Sequence, residues 1–300
     1  MVKRPCYVVD AFSDRPFAGN SAGVVLDAED LSTTALQDIA EELKHAETAF
    51  PLPPRAAQAA FHLRWFTTFC EVGFCGHATL AALHVLAGEA GRIRVDGEGV
   101  TRISFTCKAG LFRAELSRRD GKLRVSFETP QPRFTAQPVD PGVLAALNLV
   151  PEVLEPRIPP QRSVSEEGNL FLCVRDREVL RRVRPDPGPL PAIARQLGVI
   201  GFVPFTLAPA PGIDVALRAL FADHGVAEDP VTGSASAQLA LLVHGFQPAP
   251  VPRRFVFSQG DELGRPGRIE IELRAEPGSE SPRAWLSGSA LTTLRGELIL

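Results

Sequence analysis

One short motif occurs twice in this chain, and each copy leads into an apolar segment. The first copy is Glu71-Val-Gly-Phe-Cys-Gly-His-Ala-Thr79, and the second is Glu228-Asp-Pro-Val-Thr-Gly-Ser-Ala-Ser236. Both begin with Glu, have Gly five positions later, and continue with a polar residue, Ala and a hydroxyl residue. The second copy starts 157 residues after the first (228 − 71). Such a repeat indicates that one half of the fold repeats the other, so we predict two related domains.

The spacing of apolar residues predicts both strands and helices. Residues 61–66 alternate between apolar and polar, as in a half-buried strand. Residues 101–128 predict three short strands, with turns at Lys108-Ala-Gly110 and Arg119-Asp-Gly121. Helical patterns occupy Thr33–Leu43, His77–Leu86, Leu190–Leu197 and Ser234–Val243. Together these elements predict the α+β class, with largely antiparallel or mixed sheets and a few long helices.

The middle of the chain is rich in proline. Eight prolines lie between residues 130 and 161, and proline removes a backbone donor and interrupts regular elements. We therefore predict an N-terminal domain at 1–130, a proline-rich crossing at 131–161 that can hold one short helix, and a C-terminal domain at 162–300. The last strand of the chain is a candidate to return to the N-terminal domain.

Charge and hydropathy exclude several classes of partner. The formal net charge is −3, so the chain has no broad basic field to attract nucleic acid. Apolar runs such as Leu239–Val243 are too short to span a bilayer. The first ten residues lack the apolar segment of a signal peptide. We expect a cytoplasmic protein that binds neither nucleic acid nor membrane.

The cysteines and the short motifs predict neither a metal nor a cofactor. The chain has five scattered cysteines, an odd number that favours free thiols. Cys70, Cys75 and His77 are the group that most resembles a metal site, but their spacing fits no zinc pattern. Dinucleotide-binding and P-loop glycine motifs are absent from the sequence, and so is a Gly-x-Ser-x-Gly elbow.

Each repeated motif places a glycine directly before a predicted helix. The N-terminus of a helix has unpaired N–H groups and a partial positive charge, and it therefore attracts anions. Gly76 and Gly233 would let a ligand approach the backbone closely. Two such termini facing each other across a crevice would bind a carboxylate and stabilise negative charge beside it. The alternative is that both copies are ordinary helix caps.

Four residues near these motifs can carry chemistry. Glu47 precedes an apolar strand, where a carboxylate is costly unless it is paired or functional, so it is a candidate general acid or base. Its alternative is a surface glutamate. His77 lies in a first helical turn, which should lower its pKa and favour the neutral ring; it could equally be a cap. Asp229 precedes Pro230 and could be only a turn residue. Cys75 could be an activated thiolate, but the second copy has Thr232 there and supplies no second cysteine.

Five segments resemble the PhzF-like family, the phenazine-biosynthesis isomerases with the fold of diaminopimelate epimerase. Their order along the chain also matches, and the resemblance runs from Asp10 to about Gly296. The segments are Asp10-Ala-Phe-Ser-Asp-Arg-Pro-Phe-Ala-Gly-Asn20, Glu47-Thr-Ala-Phe50, Arg64-Trp-Phe-Thr67 and the two copies of the repeated motif. Gln259-Gly260 and Leu286-Ser-Gly-Ser-Ala290 are similar to the C-terminal segments of the family.

The resemblance implies a fold and a set of roles. The fold has two pseudo-symmetric domains, each a mainly antiparallel barrel-like sheet around a central helix, with the active site in the crevice between them. Glu47 matches the catalytic glutamate that moves a proton, and His77, Asp229 and Ser234 match residues that position the substrate and assist proton transfer. The substrate-binding residues implied are Gly76, Ala78, Thr79, Gly233, Ala235, Asn20 and Ser21. The family also implies a homodimer, no cofactor, and a small carboxylate-bearing substrate such as dihydro-hydroxyanthranilate.

The sequence departs from the usual family pattern near the predicted pocket. Lys44-His45-Ala46 replaces an Asn-x-Ser sequence, and Ser21 and Thr68 replace prolines. These changes leave the predicted catalytic residues in place but put the substrate in question. Besides a PhzF-like isomerase, two further hypotheses remain. One is a cysteine-based racemase or epimerase with Cys75 as a base, and the other is a non-catalytic small-molecule-binding protein on the same fold.

Overall fold

The structure is a computed structural model that describes residues 1–96, 99–164, 168–207, 210–221 and 226–300. In order along the chain, strands β1 to β19 span Lys3–Ala11, Asn20–Val25, Glu47–Leu52, Phe61–Phe66, Glu71–Val72, Val100–Cys107, Gly110–Arg119, Lys122–Glu128, Arg133–Ala136, Gln161–Val164, Asn169–Cys173, Gly201–Thr206, Val215–Leu217, Ala219–Phe221, Val226–Asp229, Arg253–Gln259, Gly267–Arg274, Arg283–Gly288 and Ala290–Ile299. Helices α1 to α6 span Thr33–Leu43, Gly76–His84, Pro141–Ala146, Arg177–Arg182, Leu190–Leu197 and Gly233–Phe246.

Two compact units make up the chain. Unit 1 contains Met1–Pro130 and Trp285–Leu300, and unit 2 contains Gln131–Ala284. The segment 131–161, predicted as a crossing, lies inside unit 2, because β9 pairs with β10 and thereby satisfies its backbone hydrogen bonds. Its prolines are compatible with this placement, since Pro141 occupies the first turn of α3, where proline is tolerated. Strand β19 belongs to unit 1 because it pairs with β1.

Unit 1 is a mainly antiparallel sheet around a buried helix. Its strand order is β19-β1-β2-β3-β4-β6-β7-β8-β18, and only the β2–β3 and β4–β6 pairs in this order are parallel. A single residue, Ser289, joins β18 to β19, so the two ends of the order meet in one continuous segment, as in a barrel. Helix α2 packs against β1, β2, β3, β8 and β19, and Gly76–Leu83 are all buried. A helix that is apolar on all sides is typical of such a central position.

Unit 2 has its own sheet and its own long helix. Strands β9, β10, β11 and β12 pair in that order, and β12 continues to β13 and β14. Strand β13 pairs with β16, which pairs with β17, while β14 pairs with β15. Helix α6 contacts β17. A second layer, formed by α3, α4 and α5, buries Val143, Leu147, Leu180 and Leu190 against Phe202 of β12.

Several predicted elements are confirmed and others differ at their ends. Helices α1 and α5 have the predicted bounds, and residues 100–128 form the predicted three strands. The second turn has Asp120 and Gly121 at positive φ, which a two-residue hairpin loop requires. Helix α2 ends two residues earlier than predicted, because the chain continues as a π-helical turn over Val85–Glu89. Among the described residues, no helix is both long enough and apolar enough to cross a membrane.

Candidate active site

Three reactive side chains meet at the start of α2 in unit 1. Nε2 of His77 lies 3.1 Å from Oε2 of Glu47, and Nδ1 of His77 lies 3.5 Å from Sγ of Cys75. Glu47 is the first residue of β3, whose pairing with β2 brings it beside Ala22, while Cys75 directly precedes α2. The Nε2–Oε2 separation suits an ion pair, although its alignment is not that of a hydrogen bond. Catalytic contacts often align only when the substrate binds.

Asn20 completes the surroundings of His77. Its Nδ2 lies 3.3 Å from Nδ1 of His77, and both side chains are buried. The preceding residue, Gly19, has φ +64°, and a Cβ there would lie 2.1 Å from the carbonyl oxygen of Ala11. Glycine is therefore required for β1 and β2 to bring Asn20 to the histidine. The donor and acceptor roles in this contact depend on the protonation of the ring and on the orientation of the amide. In the cationic ring both nitrogens carry a proton, so Nδ1 would donate to the amide oxygen of Asn20 and Nε2–H would face Glu47.

The protonation of Cys75 and His77 is set by burial and by Glu47. Burial, assisted by the negative charge of Glu47, raises the pKa of the Cys75 thiol to about 11. Burial alone lowers the pKa of His77, but the Cys75 sulfur and the Glu47 carboxylate outweigh it and raise that pKa well above 6.5. Since Cys75 is a neutral thiol near pH 7, the Glu47 carboxylate is the group that stabilises the imidazolium there.

One expectation and one hypothesis about pKa are therefore wrong. The helix N-terminus was expected to lower the pKa of His77, yet the structure gives it a higher pKa, because the Cys75 sulfur 3.5 Å away and the Glu47 carboxylate 3.1 Å away outweigh burial and the helix dipole. The same terminus made an activated thiolate at Cys75 one of the hypotheses, and the structure does not support it. Cys75 is only 6% exposed, and burial raises the pKa of its thiol, which stays protonated near neutral pH.

Cys75 should consequently react slowly with alkylating reagents. With a pKa of about 11, only ~0.1% of the thiol is ionised at pH 8, and the thiolate is the reactive form. We expect iodoacetamide to label the exposed Cys70 quickly and Cys75 much more slowly in the native protein. Labelling of each cysteine can be followed by peptide mass spectrometry, and denatured protein provides the control. Equal rates for Cys70 and Cys75 at pH 8 would contradict the structure.

The predicted binding residues of α2 have different surroundings. Thr79 donates its hydroxyl to the carbonyl of Cys75 at 2.5 Å, so that proton is used within the helix. Ala78 is fully buried. The Cys75 side chain does not cap the helix, and an end without a side-chain cap leaves its N–H groups to water or a ligand. The Oγ atom of Ser21 lies 3.4 Å from Nδ1 of His45, so Ser21 contacts His45 instead of His77.

Unit 2 holds the second group of predicted residues. The hydroxyl of Thr232 donates to Oδ2 of Asp229 at 2.6 Å. Ser234 is half-buried in the first turn of α6, between the buried Gly233 and Ala235. Asp229 and Ser234 therefore belong to unit 2, whereas Glu47, His77 and Asn20 belong to unit 1.

Gln259 was not among the predicted site residues, yet it fixes the segment that carries Asp229. Its Oε1 accepts from the backbone N–H of Thr232 at 2.8 Å, and its Nε2 donates to the carbonyl of Asp229 at 2.8 Å. The next residue, Gly260, has φ +84°, and a Cβ there would lie 2.6 Å from the carbonyl oxygen of Pro230. The Gln259-Gly260 pair, similar to a family segment, was the available sequence signal.

The structure also explains why both repeated motifs begin with glutamate. Glu71 forms a two-point ion pair with Arg64, with N–O distances of 2.7 and 2.8 Å. Glu228 forms the same arrangement with Arg218, at 2.7 and 2.5 Å. Such bidentate pairs fix position as well as charge. Each pair therefore anchors the chain ahead of a helix N-terminus, once in each unit.

One group of side chains in the described part of the chain could supply three metal ligands. Donor atoms of Glu47, Cys75 and His77 all lie within 4.8 Å of one another. Cys70 is not in this group; its sulfur lies 3.8 Å from the hydroxyl of Thr67. The ring nitrogen of His77 nearest to Cys75 is Nδ1, whereas the one nearest to Glu47 is Nε2.

Comparison with known proteins identifies the family. Residues 9–296 match the model of the phenazine biosynthesis-like family, PhzC-PhzF. The chain belongs to this family. An uncharacterized isomerase, YddE, from Salmonella typhimurium is 33% identical over 302 residues, covering 99% of this chain and 98% of that protein. This member of the PhzF family therefore has a close sequence relative named as an isomerase.

Solved structures show the same fold. The Bacillus anthracis phenazine biosynthesis protein of the PhzF family matches over 100% of both chains, with a TM-score of 0.88 and 23% identity. A hydroxyproline epimerase from Agrobacterium vitis, with bound trans-4-hydroxy-L-proline, has a TM-score of 0.68 and 10% identity, covering 99% of this chain and 93% of that one. At these identities the likeness concerns the fold alone, and it confirms the predicted epimerase-like class.

Proposed function

We propose that this PhzF-family protein is a cofactor-independent isomerase that moves a proton within a small carboxylate-bearing molecule. The observation that carries the proposal is the 3.1 Å contact between Glu47 and His77 at the start of α2. The Glu47 carboxylate is 21% exposed and can reach a ligand, while the His77 ring that it contacts is buried. In this pair, Glu47 would be the general acid/base and His77 would be the residue that positions it.

In the first step, the Glu47 carboxylate takes a proton from a carbon atom of the substrate. The electrons of the broken C–H bond stay on the substrate as a delocalised anion. In the second step, the carboxylic acid of Glu47 returns the proton to a different carbon of the same anion. The product is an isomer, and neither the protein nor the substrate undergoes net oxidation.

Charges near Glu47 support both steps. His77, whose pKa is raised by the Cys75 sulfur and the Glu47 carboxylate, and the N-terminus of α2 both place positive potential where the anion develops. Fixed groups of this kind stabilise charge without having to reorient during the reaction. We propose that Asp229 and Ser234, in unit 2, position the substrate, as the family resemblance implies.

The contact between Ser21 and His45 bears on the choice of substrate. Ser21 stands where the family pattern usually has proline, His45 stands at a variable position of that pattern, and their side chains lie 3.4 Å apart in unit 1. A hydroxyl and an imidazole offer hydrogen bonds that proline cannot make. We therefore propose that the substrate carries a polar group that these residues recognise, besides its carboxylate.

The cysteine-based alternative is less well supported. A basic thiolate must be populated at neutral pH, whereas burial raises the pKa of Cys75 to about 11. In the second copy of the motif, the position of Cys75 is taken by Thr232, whose hydroxyl donates a hydrogen bond to the Asp229 carboxylate. Cys75→Ser should therefore retain turnover, which a cysteine mechanism would not allow.

Solvent-deuterium incorporation tests the proposed function. Small cyclic and amino-acid carboxylates, including dihydro-hydroxyanthranilate, are incubated with the protein in D₂O and examined by mass spectrometry for deuterium and by NMR for isomers. We expect at least one compound to isomerise with the wild type and with Cys75→Ser, but not with Glu47→Gln. Tight binding of a compound without exchange or isomerisation would instead support the non-catalytic hypothesis. Loss of activity with Cys75→Ser alone would support the cysteine mechanism.

A further inference from the structure

A pocket in unit 2 lies at the C-terminal end of α6. It encloses about 600 Å³, a volume typical of sites for small ligands. Val243, Phe246 and Gln247, at the end of the helix, form part of its wall. Ser234 lies in the first turn of the same 14-residue helix, and a helix of this length is roughly 20 Å long. The pocket is therefore separate from the predicted substrate-positioning residue of this unit.

Apolar side chains form the inner wall of this pocket. Several of the residues that line it belong to the buried core of unit 2, namely Ile158, Cys173, Val215, Val243 and Phe255. Phe246, at the end of α6, is 38% exposed. A concave apolar wall with a few polar groups around it is the usual form of a small-molecule site. The wall therefore favours a ligand with an apolar group.

Some of the charged residues that line the pocket are neutralised by neighbours in the chain. Arg157 contacts both carboxylate oxygens of Glu155, at 2.7 and 3.1 Å. Arg175 lies 3.2 Å from the carboxylate of Asp176, the adjacent residue. Ion pairs of this kind between exposed neighbours leave little net charge to attract a ligand. The charge that a ligand would meet therefore comes from the other lining residues, Arg253 and Asp214.

Arg253 and Asp214 carry opposite charges, and neither forms an ion pair with another described residue. The half-buried Arg253 has its guanidinium 4.4 Å from the centre of the Phe255 ring, and it donates to the carbonyl of Gln247. Oδ2 of Asp214 accepts from the backbone N–H of Val256 at 2.8 Å. These contacts fix both side chains but leave their charges uncompensated. The pocket thus presents one cation and one anion.

The pairing of β13 with β16 keeps these two charges apart. Asp214 lies beside Val256, because its backbone N–H donates to the carbonyl of Val256 at 2.9 Å. Arg253 lies three residues earlier on β16 (256 − 253), which is roughly 10 Å along a strand. A ligand that carries both charges can bridge such a gap, because each of its ends reaches about 3 Å further through a hydrogen bond.

We propose that this pocket of unit 2 binds an apolar α-amino acid as its zwitterion. Its carboxylate pairs with Arg253, its ammonium group pairs with Asp214, and its side chain packs on the apolar wall beside Phe246. A ligand with a carboxylate alone leaves Asp214 unpaired, and one with an ammonium group alone leaves Arg253 unpaired. The zwitterion satisfies both. This proposal does not depend on the proposed isomerase activity, because it uses none of the residues assigned to that activity.

Equilibrium dialysis of the full chain with matched ligands tests both charge contacts. The ligands are L-phenylalanine, L-leucine, 3-phenylpropanoate, which lacks the ammonium group, and phenethylamine, which lacks the carboxylate. We expect at least one of the two amino acids to bind with a Kd below about 1 mM. The two analogues should bind at least about tenfold more weakly than L-phenylalanine, since each loses a charged hydrogen bond. Ser234→Ala, in the predicted substrate site, should leave this binding unchanged.

Substitutions in the pocket should change the ligand preference in a way that a loss of stability would not. Asp214→Asn should bind L-phenylalanine no better than 3-phenylpropanoate, and Arg253→Gln should bind it no better than phenethylamine. Arg253→Lys keeps the charge and should retain most of the affinity. The control Arg254→Gln removes a neighbouring arginine that is 78% exposed and paired with Glu272, and it should bind as wild type does. The proposal is wrong if neither amino acid binds below about 10 mM, if Ser234→Ala abolishes binding, or if Asp214→Asn and Arg253→Gln keep the wild-type preference.

Discussion

Replacing Glu47 with glutamine should lower the turnover number by about 10²–10⁴-fold, the usual contribution of a general acid/base. Glutamine keeps the shape of the side chain but cannot accept or return a proton. The substrate should still bind, because the N-terminus of α2 and His77 remain. The loss should therefore appear in kcat more than in KM, measured with the substrate found by deuterium incorporation.

The variant Glu41→Gln is a control that shows whether the loss of any negative charge lowers turnover, or only the loss of the Glu47 carboxylate. Glu41, on the exposed face of α1, lies six residues earlier in the chain and has only a 4.0 Å contact with Lys44. Glu41→Gln makes the same chemical change and should leave turnover within about twofold, since surface substitutions away from special features have small effects. Equal losses in Glu41→Gln and Glu47→Gln would remove Glu47 from the mechanism.

Glu47→Gln should also lower the free energy of unfolding, and the raised pKa of His77 sets the pH range in which it does so. The pKa of His77 is raised in the folded protein, so its ion pair with Glu47 stabilises the fold fully below the unfolded pKa of about 6.5. That stabilisation is lost as the pH rises through the raised pKa of the folded state. The stability difference between wild type and Glu47→Gln should therefore be larger at pH 6 than at high pH, as chemical unfolding at each pH can show.

Elements that depend on short stretches of sequence were predicted well. The spacing of apolar residues predicted the bounds of α1 and α5, and Asp120-Gly121 predicted a hairpin because both residues tolerate positive φ. The segment 131–161 was harder to place, because β9 is stabilised by pairing with β10, whose residues lie 25 (161 − 136) to 31 (164 − 133) positions later, and no local pattern indicates that partner. The end of α2 was missed because a π-helical turn continues its hydrogen bonding in another register.

The candidate site residues that lie in sequence motifs could be predicted, whereas the contacts between them could not. Glu47 and His77 were both selected from sequence, but their 3.1 Å contact depends on the pairing of β3 with β2. The Cys75 sulfur and the Glu47 carboxylate together reverse the expected pKa shift of His77, because their effect outweighs that of the helix dipole. Gln259 reaches Thr232 across 27 positions, so its positioning role emerges only in the folded chain.

Removing the guanidinium of Arg218 should lower the free energy of unfolding more than breaking the Arg64–Glu71 or the Arg102–Glu115 ion pair. The Arg218 and Glu228 side chains are 6% and 11% exposed, and Arg218 also donates to the carbonyl of Val183 at 2.7 Å. Arg218→Met would leave a buried carboxylate and a buried carbonyl without their donor. Breaking one side of such a pair costs about 3–5 kcal/mol. Urea unfolding followed by circular dichroism gives the difference in free energy of unfolding between wild type and Arg218→Met.

Arg64→Met and Arg102→Met are controls for this prediction, because they break ion pairs that are progressively more exposed. Arg64→Met breaks the equivalent pair of unit 1, where Glu71 is 28% exposed and water can replace part of the lost interaction, so a smaller loss is expected. Arg102, 74% exposed and paired with Glu115, should change stability by no more than about 0.5 kcal/mol. Hydrogen exchange can assign each loss to its unit. If Arg218→Met were as stable as Arg102→Met, the glutamate at the head of each repeated motif would not anchor its helix. The shared Glu would then need an explanation other than the common architecture of the two units.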